Sequence, residues 1–239
     1  MTADEPLPTA STLPAASTLP AVEPLPASPQ AAAHLGVGVF GGSFDPIHLG
    51  HLLVAEAVRE ALALRCVLFV PAGHSPLKAD DPVASGADRL AMLEAALAGN
   101  PYFATSRADL DRPGPSFTVD LMAQLAAEAG PRTTFHLLLG ADALTSFPRW
   151  RDPGRILKLA RLAVVGRPGS AVDWGALEVA LPGIQGRATS VTAPLVDISA
   201  TDIRKRVAEG RSIRYRVPGD VARYIADHGL YSAPSPSPP

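Results

Sequence analysis

The chain has 239 residues, of which 47% are hydrophobic, 18% charged and 5% aromatic, with a formal charge of −2. That balance gives no electrostatic reason to expect nucleic acid or an anionic membrane surface as a partner, and no uncharged apolar run reaches the ~20 residues a bilayer span requires. The single cysteine, Cys66, excludes an internal disulfide and a Cys-rich zinc site, and fits a protein of the reducing cytoplasm.

Residues 1–33 hold seven of the 25 prolines, no glycine and no basic residue, and repeat short phrases such as STLPA and EPLP. With no basic start and no unbroken apolar run this is not a signal peptide; residues 1–35 are expected to form a disordered, partly polyproline-II arm. Residues 232–239, with four prolines, are expected to form a matching tail. A passive extension is the simpler reading of both, a PxxP-type ligand the alternative. No methionine falls between Met1 and Met92, so translation could also start at a non-AUG codon nearer Val37. Residues 36–231 then make one globular domain.

Within it, residues 37–40 form a short apolar run closed by Gly41-Gly42, the pattern of a buried strand, and 50–63 have helical spacing. A second strand is expected at 66–70, stopped by Pro71, and a helix at 88–98. A third strand follows at 102–106 and a helix at 117–129, closed by Gly130-Pro131. Further strands are expected at 134–139 and 162–166. Residues 171–193 carry no clear pattern, and a last strand is placed within 191–198. Helices near 201–209 and 218–228 close the domain. Short apolar strands alternating with helices imply an α/β fold: a Rossmann-like, doubly wound parallel sheet with helices on both faces. Ligands of such sheets bind beyond the carboxyl ends of the strands, where strand order reverses.

The loop after the first strand reads Gly41-Gly42-Ser43-Phe44-Asp45-Pro46-Ile47-His48-Leu49-Gly50-His51. Adjacent glycines admit a ligand close to the backbone, and the helix that follows turns its N–H groups and positive dipole end to the same place, favouring an anion. His48 and His51 are three apart and share a face. Two imidazoles there can donate to polyphosphate oxygens, more strongly if protonated. Gly36-x-Gly38-x-x-Gly41 matches a dinucleotide fingerprint literally, but it lies in the strand instead of after it. A Gly turn with two capping histidines is the plain alternative, and a lone H-x-x-H with no third ligand is a weak zinc signal.

These residues resemble the signature of the nucleotidyltransferase superfamily, whose H-x-G-H histidines contact nucleoside triphosphate. Further segments are similar to the bacterial nicotinate-nucleotide adenylyltransferases: Gly114-Pro-Ser-Phe-Thr118, Leu139-Gly-Ala-Asp142, Phe147-Pro-Arg-Trp150, Ile198-Ser-Ala-Thr-Asp-Ile-Arg204 and His228-Gly-Leu-Tyr231. The resemblance implies adenylyl transfer from ATP to nicotinate mononucleotide, giving nicotinate adenine dinucleotide and pyrophosphate. It implies catalytic roles for His48, His51, Lys78 and Arg204, and ATP phosphate contacts from Gly41, Gly42, Ser43, Phe44, Ser199 and Thr201. Gly140 and Asp142 would meet a ribose, and Phe117, Thr118 and Trp150 would form the nicotinate pocket. Mg²⁺ is expected on phosphate oxygens and water, with no dedicated protein cage.

Read without that resemblance, Ser199 or Thr201 is an ordinary N-cap, Asp142 caps a turn, Trp150 is packing and Lys78 is a solvated charge. His136 is read as a core histidine. Where the family has Pro-Pro-His-Lys, this chain has Ser75-Pro76-Leu77-Lys78, which leaves open whether His74 replaces the missing imidazole. The alternatives are another transferase of the superfamily, acting on nicotinamide mononucleotide or phosphopantetheine, and a nucleotide-binding module without activity.

Overall fold

The computed structural model describes residues 35–73, 83–166, 172–194 and 196–233. Six parallel strands form one sheet: β1 (Leu35–Gly42), β2 (Cys66–Pro71), β3 (Phe103–Thr105), β4 (Thr133–Gly140), β5 (Ala160–Gly166) and β6 (Ala188–Thr192), in the order β3-β2-β1-β4-β5-β6. The order reverses between β1 and β4, which pair from Leu35 opposite Thr133 to Val39 opposite Leu137. The expected doubly wound architecture is therefore present, with its switch point at the carboxyl ends of β1 and β4.

Alternation along the strands sorts the core into two layers. Val37, Val39, Leu68, Leu137, Leu162 and Val164 pack under helices α3 (Thr118–Ala129), α4 (Ala141–Ser146) and α5 (Pro153–Leu159). Val67, Phe69, Leu138 and Ala163 face the other way, under α1 (Leu49–Ala61), α2 (Gly86–Leu97), α7 (Ala200–Ala208) and α8 (Gly219–Asp227). Every residue of β2 is buried, as a central strand covered on both faces must be. Gly38 belongs to this packing: a Cβ there would stand 3.1 Å from each of Leu64, Val67 and Leu138. The whole Gly36-x-Gly38-x-x-Gly41 run lies inside β1, so its first two glycines make room for core side chains, not for a pyrophosphate.

One expectation needs correction, and two stretches with no expected element prove helical. The last strand is Ala188–Thr192, overlapping the expected stretch only at its start. It is an edge strand of Ala, Thr and Ser with Val191 alone buried, so it has no apolar run to read, whereas the more apolar stretch after it is broken by Pro194. Between β4 and β5 the chain forms α4, a 3₁₀ turn at Phe147–Arg149, and α5. Helix α5 starts where Asp152 accepts the Arg155 N–H at 3.1 Å and Pro153 takes the first position. The unassigned residues near 171–193 hold α6 (Trp174–Ala180), capped by Asp173 through the Ala176 N–H at 2.9 Å. These helices are six or seven residues long, too short for a periodic signal to stand out.

Candidate active site

The loop from β1 to α1 is held from below by its own apolar residues. Phe44 and Ile47 are buried among Phe40, Phe69 and the helices on that face, and Phe44 takes a left-handed backbone, φ 48°. Phe44 was expected at the phosphates; its ring instead faces the core, so only its backbone is left for an anion. Gly41 is different: among the described residues, no atom would lie within 4 Å of a Cβ at this position, so the backbone there can admit a close approach.

His48 is the N-cap of α1 and His51 sits one turn in. The His48 N–H donates to His51 Nδ1 at 3.2 Å, which assigns the neutral His51 proton to Nε2. The two rings stack with centroids 3.6 Å apart and planes 21° from parallel. His51 also meets the edges of Phe40 and Phe44. It is half-buried in a helical turn, not an exposed loop residue. His48 is 7% exposed, and burial lowers its pKa to about 4. The expected gain from protonation is therefore not available to His48 near neutral pH; it works as a neutral imidazole.

Both histidines line a cavity of about 290 Å³ at the switch point, together with Gly140, Asp142 and Ile198. Gly140 is the N-cap of α4 and Asp142 lies in its first turn. Asp142 makes no cap there, so the plain capping reading fails for it. Across the cavity, Ser199 caps α7: its Oγ accepts the Asp202 N–H at 3.1 Å. The plain reading of Ser199 holds, and leaves its O–H still able to donate. Thr201 is exposed in the same first turn and receives a 3.4 Å bond from Arg204. The starts of α1 and α7 are thus brought to one cavity. One N–H of the first is already engaged, since Leu49 donates to the Arg216 carbonyl at 2.9 Å.

Residues not foreseen from the sequence hold this loop. Asp45, 4% exposed, accepts the Tyr231 hydroxyl at 2.6 Å and the N–H groups of Val83 and Ala84 at 2.8 and 3.2 Å. Arg204 donates to the Asp45 carbonyl at 2.7 Å, and the buried Arg89 to the Ser43 carbonyl at 2.7 Å. Asp45, Arg89 and Tyr231 are separated by tens of residues or more, and no local spacing links them.

A second cavity, about 280 Å³, gathers Phe117, Thr118 and Trp150 as expected, with Ser116, Arg149 and Arg151. Trp150 is anchored by its indole N–H to Ser146 Oγ at 3.1 Å and packs on Phe147. Arg151 lies 4.4 Å over the Phe117 ring and 3.9 Å from Asp120. Sequence reasoning named neither arginine, although both flank Trp150. Lys78, His74 and Leu77 lie outside the described residues.

Among the described residues, no group of three or more His, Cys, Asp or Glu could hold a metal ion.

Residues 39–206 match the cytidylyltransferase-like family. The chain is 50% identical over 195 residues to a probable nicotinate-nucleotide adenylyltransferase of Roseiflexus sp. strain RS-1, covering 82% of this chain and 97% of that one. It is equally similar to the corresponding protein of Thermomicrobium roseum, covering 82% and 91%. The chain belongs to the nicotinate-nucleotide adenylyltransferase family. Family membership agrees with the fold: the solved nicotinic acid mononucleotide adenylyltransferase of Plasmodium falciparum, complexed with NaAD, superposes with a TM-score of 0.67 at 19% identity, over 83% of this chain and 98% of that one. The sequence relatives place the chain in that family, and the solved structure shows that the two share a fold. Among the described residues no helix is long and apolar enough to cross a membrane.

Proposed function

We propose that this protein transfers the adenylyl group of ATP to nicotinate mononucleotide, releasing pyrophosphate and forming nicotinate adenine dinucleotide. The observation that carries the reading is the switch-point cavity, where two stacked histidines and two helix starts converge in a chain half identical to family members over nearly their whole length.

The nucleophile is the substrate's own phosphate oxygen, already anionic, so the reaction requires no general base and no covalent enzyme intermediate. A bond forms from that oxygen to the α-phosphorus of ATP, and the bond to the bridging oxygen of the leaving pyrophosphate breaks. The protein's task is to hold two repelling anions in line and to offset charge as it moves to the leaving group. His51, with its proton on Nε2, and neutral His48 are the donors nearest the open end of β1. Ser199, Thr201 and Arg204 supply hydroxyls and a fixed positive charge to the triphosphate from the start of α7. The backbone of Gly41 to Ser43 gives close approach, and Lys78 is included on sequence grounds as a further phosphate contact.

Asp142 and Gly140 would receive a ribose, and Trp150 would stack on the pyridine ring beside Phe117 and Thr118. Arg149 and Arg151 add positive charge at that cavity, which favours a nicotinate carboxylate over an uncharged amide. Mg²⁺ would ride on phosphate oxygens and water, and supplies charge neutralisation when bound. The cytoplasm, where both substrates are made and the lone cysteine stays reduced, is the proposed location.

The test is pyrophosphate release from ATP with a panel of acceptors. Nicotinate mononucleotide should turn over well, and nicotinamide mononucleotide and phosphopantetheine at least tenfold less efficiently. Equal turnover of the acid and the amide would overturn the acid-specific reading. ATP binding without turnover of any acceptor would leave a binding module.

A further inference from the structure

The Asp45 carboxylate is the most heavily used buried acceptor in the molecule's candidate active site, and it faces a guanidinium it does not fully capture. Arg204 Nη1 is 3.7 Å from Asp45 Oδ2, yet its hydrogen bond goes to the Asp45 backbone carbonyl, at 2.7 Å. An arginine beside a buried carboxylate ordinarily closes into a bidentate fork, the stronger arrangement. Here the carboxylate is already supplied by neutral donors: the Val83 and Ala84 N–H groups and, in the shortest contact, the Tyr231 hydroxyl at 2.6 Å. Arg204 keeps 28% of its side chain exposed. The other cation nearby, Arg89, is 3% exposed and turned to the Ser43 carbonyl.

We propose that Tyr231 is a positioning residue: by holding Asp45 Oδ1 it fixes the carboxylate so that the Arg204 guanidinium, 3.7 Å from Oδ2, stays out of a fork with it and turned toward the triphosphate. Tyr231 is 186 residues from Asp45 in sequence and is mounted rigidly enough for the task. It follows α8, whose Val221 and Ile225 are buried in the same core layer as Ile203 of α7, and its backbone is left-handed at φ 62°. Burial and the neighbouring carboxylate push its phenol well above the usual range, so the hydroxyl remains a donor throughout the working pH range. Without that hydroxyl, Asp45 Oδ1 loses its shortest donor inside the core and keeps only the longer Ala84 N–H, at 3.2 Å, an under-satisfied and costly state for a buried carboxylate. The nearest remedy is rotation of Arg204 into the fork, away from the nucleotide.

The inference rests on the reading of Arg204 as a triphosphate contact, and the experiment separates the two. KM for ATP, KM for nicotinate mononucleotide, kcat and urea midpoint are measured for Tyr231→Phe, Arg204→Ala, the double variant, and Tyr231→Phe combined with Asp45→Asn. Arg204→Ala should raise KM for ATP about tenfold or more, the scale of a lost charged hydrogen bond. Tyr231→Phe, which keeps the ring, should raise KM for ATP about three- to tenfold and leave KM for the mononucleotide within twofold. Adding Tyr231→Phe to Arg204→Ala should change nothing further. Neutralising the competitor with Asp45→Asn should bring KM for ATP back toward wild type even though stability falls, the reverse of what a merely structural role would give. An unchanged KM for ATP in Tyr231→Phe, or a multiplied defect in the double variant, overturns the proposal while leaving Arg204 in place. An unchanged KM for ATP in Arg204→Ala overturns both.

Discussion

His48 and His51 share a motif but differ in physical state. His51 accepts from the His48 backbone and lines the cavity. Replacing it by alanine should lower kcat about 10²-fold, the scale for removing a donor to developing charge. Thermal melting should show a cooperative transition at a lowered midpoint, because the ring also packs on Phe40 and Phe44. Steady-state rates within a few-fold of wild type would remove His51 from the reaction. His48 carries a different signature. Its folded pKa, about 4, lies below the unfolded 6.5, so between those values the unfolded chain binds more protons. Its stability contribution is complete above pH 6.5 and is lost as pH falls toward 4, by at most about 3 kcal/mol. Urea unfolding at pH 7 and pH 5 should show this loss in wild type and a smaller one in His48→Asn. The histidines could be named from spacing alone. Their protonation could not, because burial is a property of what packs on them.

The glycines of β1 show how one element serves two purposes. Gly38 faces Leu64, Val67 and Leu138 at 3.1 Å, and Gly41 faces open space. Gly38→Ala should therefore destabilise by about 1–3 kcal/mol through overpacking. Gly41→Ala should leave the urea midpoint nearly unchanged yet raise KM for ATP several-fold, since its methyl enters the space assigned to phosphate. An unaltered KM would place the nucleotide elsewhere. Helices α1, α2, α3 and α8 were legible because each buries one side of the helix, whereas α7, with Ile203 alone buried, was legible from its cap at Ser199. Edge strand β6 was misplaced because solvent on one side relieves it of the apolar run that identifies a central strand. The short α4, α5 and α6 give too few turns to establish a period; α5 and α6 are announced only by caps at Asp152 and Asp173.

At the scale of the whole molecule, one cavity opens at the strand ends beside the histidines and another lies beside Trp150, between the starts of α3 and α5. The proposed function divides the labour between them, with phosphates and ribose at the first and the pyridine ring at the second. Trp150→Ala should raise KM for nicotinate mononucleotide about three- to tenfold, as expected for a lost stacking contact, with KM for ATP little affected. Initial-rate kinetics with each substrate varied in turn would check it, and equal effects on both substrates would show that Trp150 supports the site only as packing.

Local chemistry, readable residue by residue, was enough to establish the parallel α/β sheet and to single out the loop at Gly41 to His51 and the segments around Asp142, Trp150 and Ser199 as candidates. Each of these depends on side chains that are near neighbours in the chain. The tertiary structure alone decided that His48 is neutral, that the Phe44 ring belongs to the core, and that Asp45 joins Arg204 to Tyr231 from the far end of the domain. Burial and long-range hydrogen bonding arise only when distant segments exclude water from between them, and no spacing along a chain encodes which segments those will be.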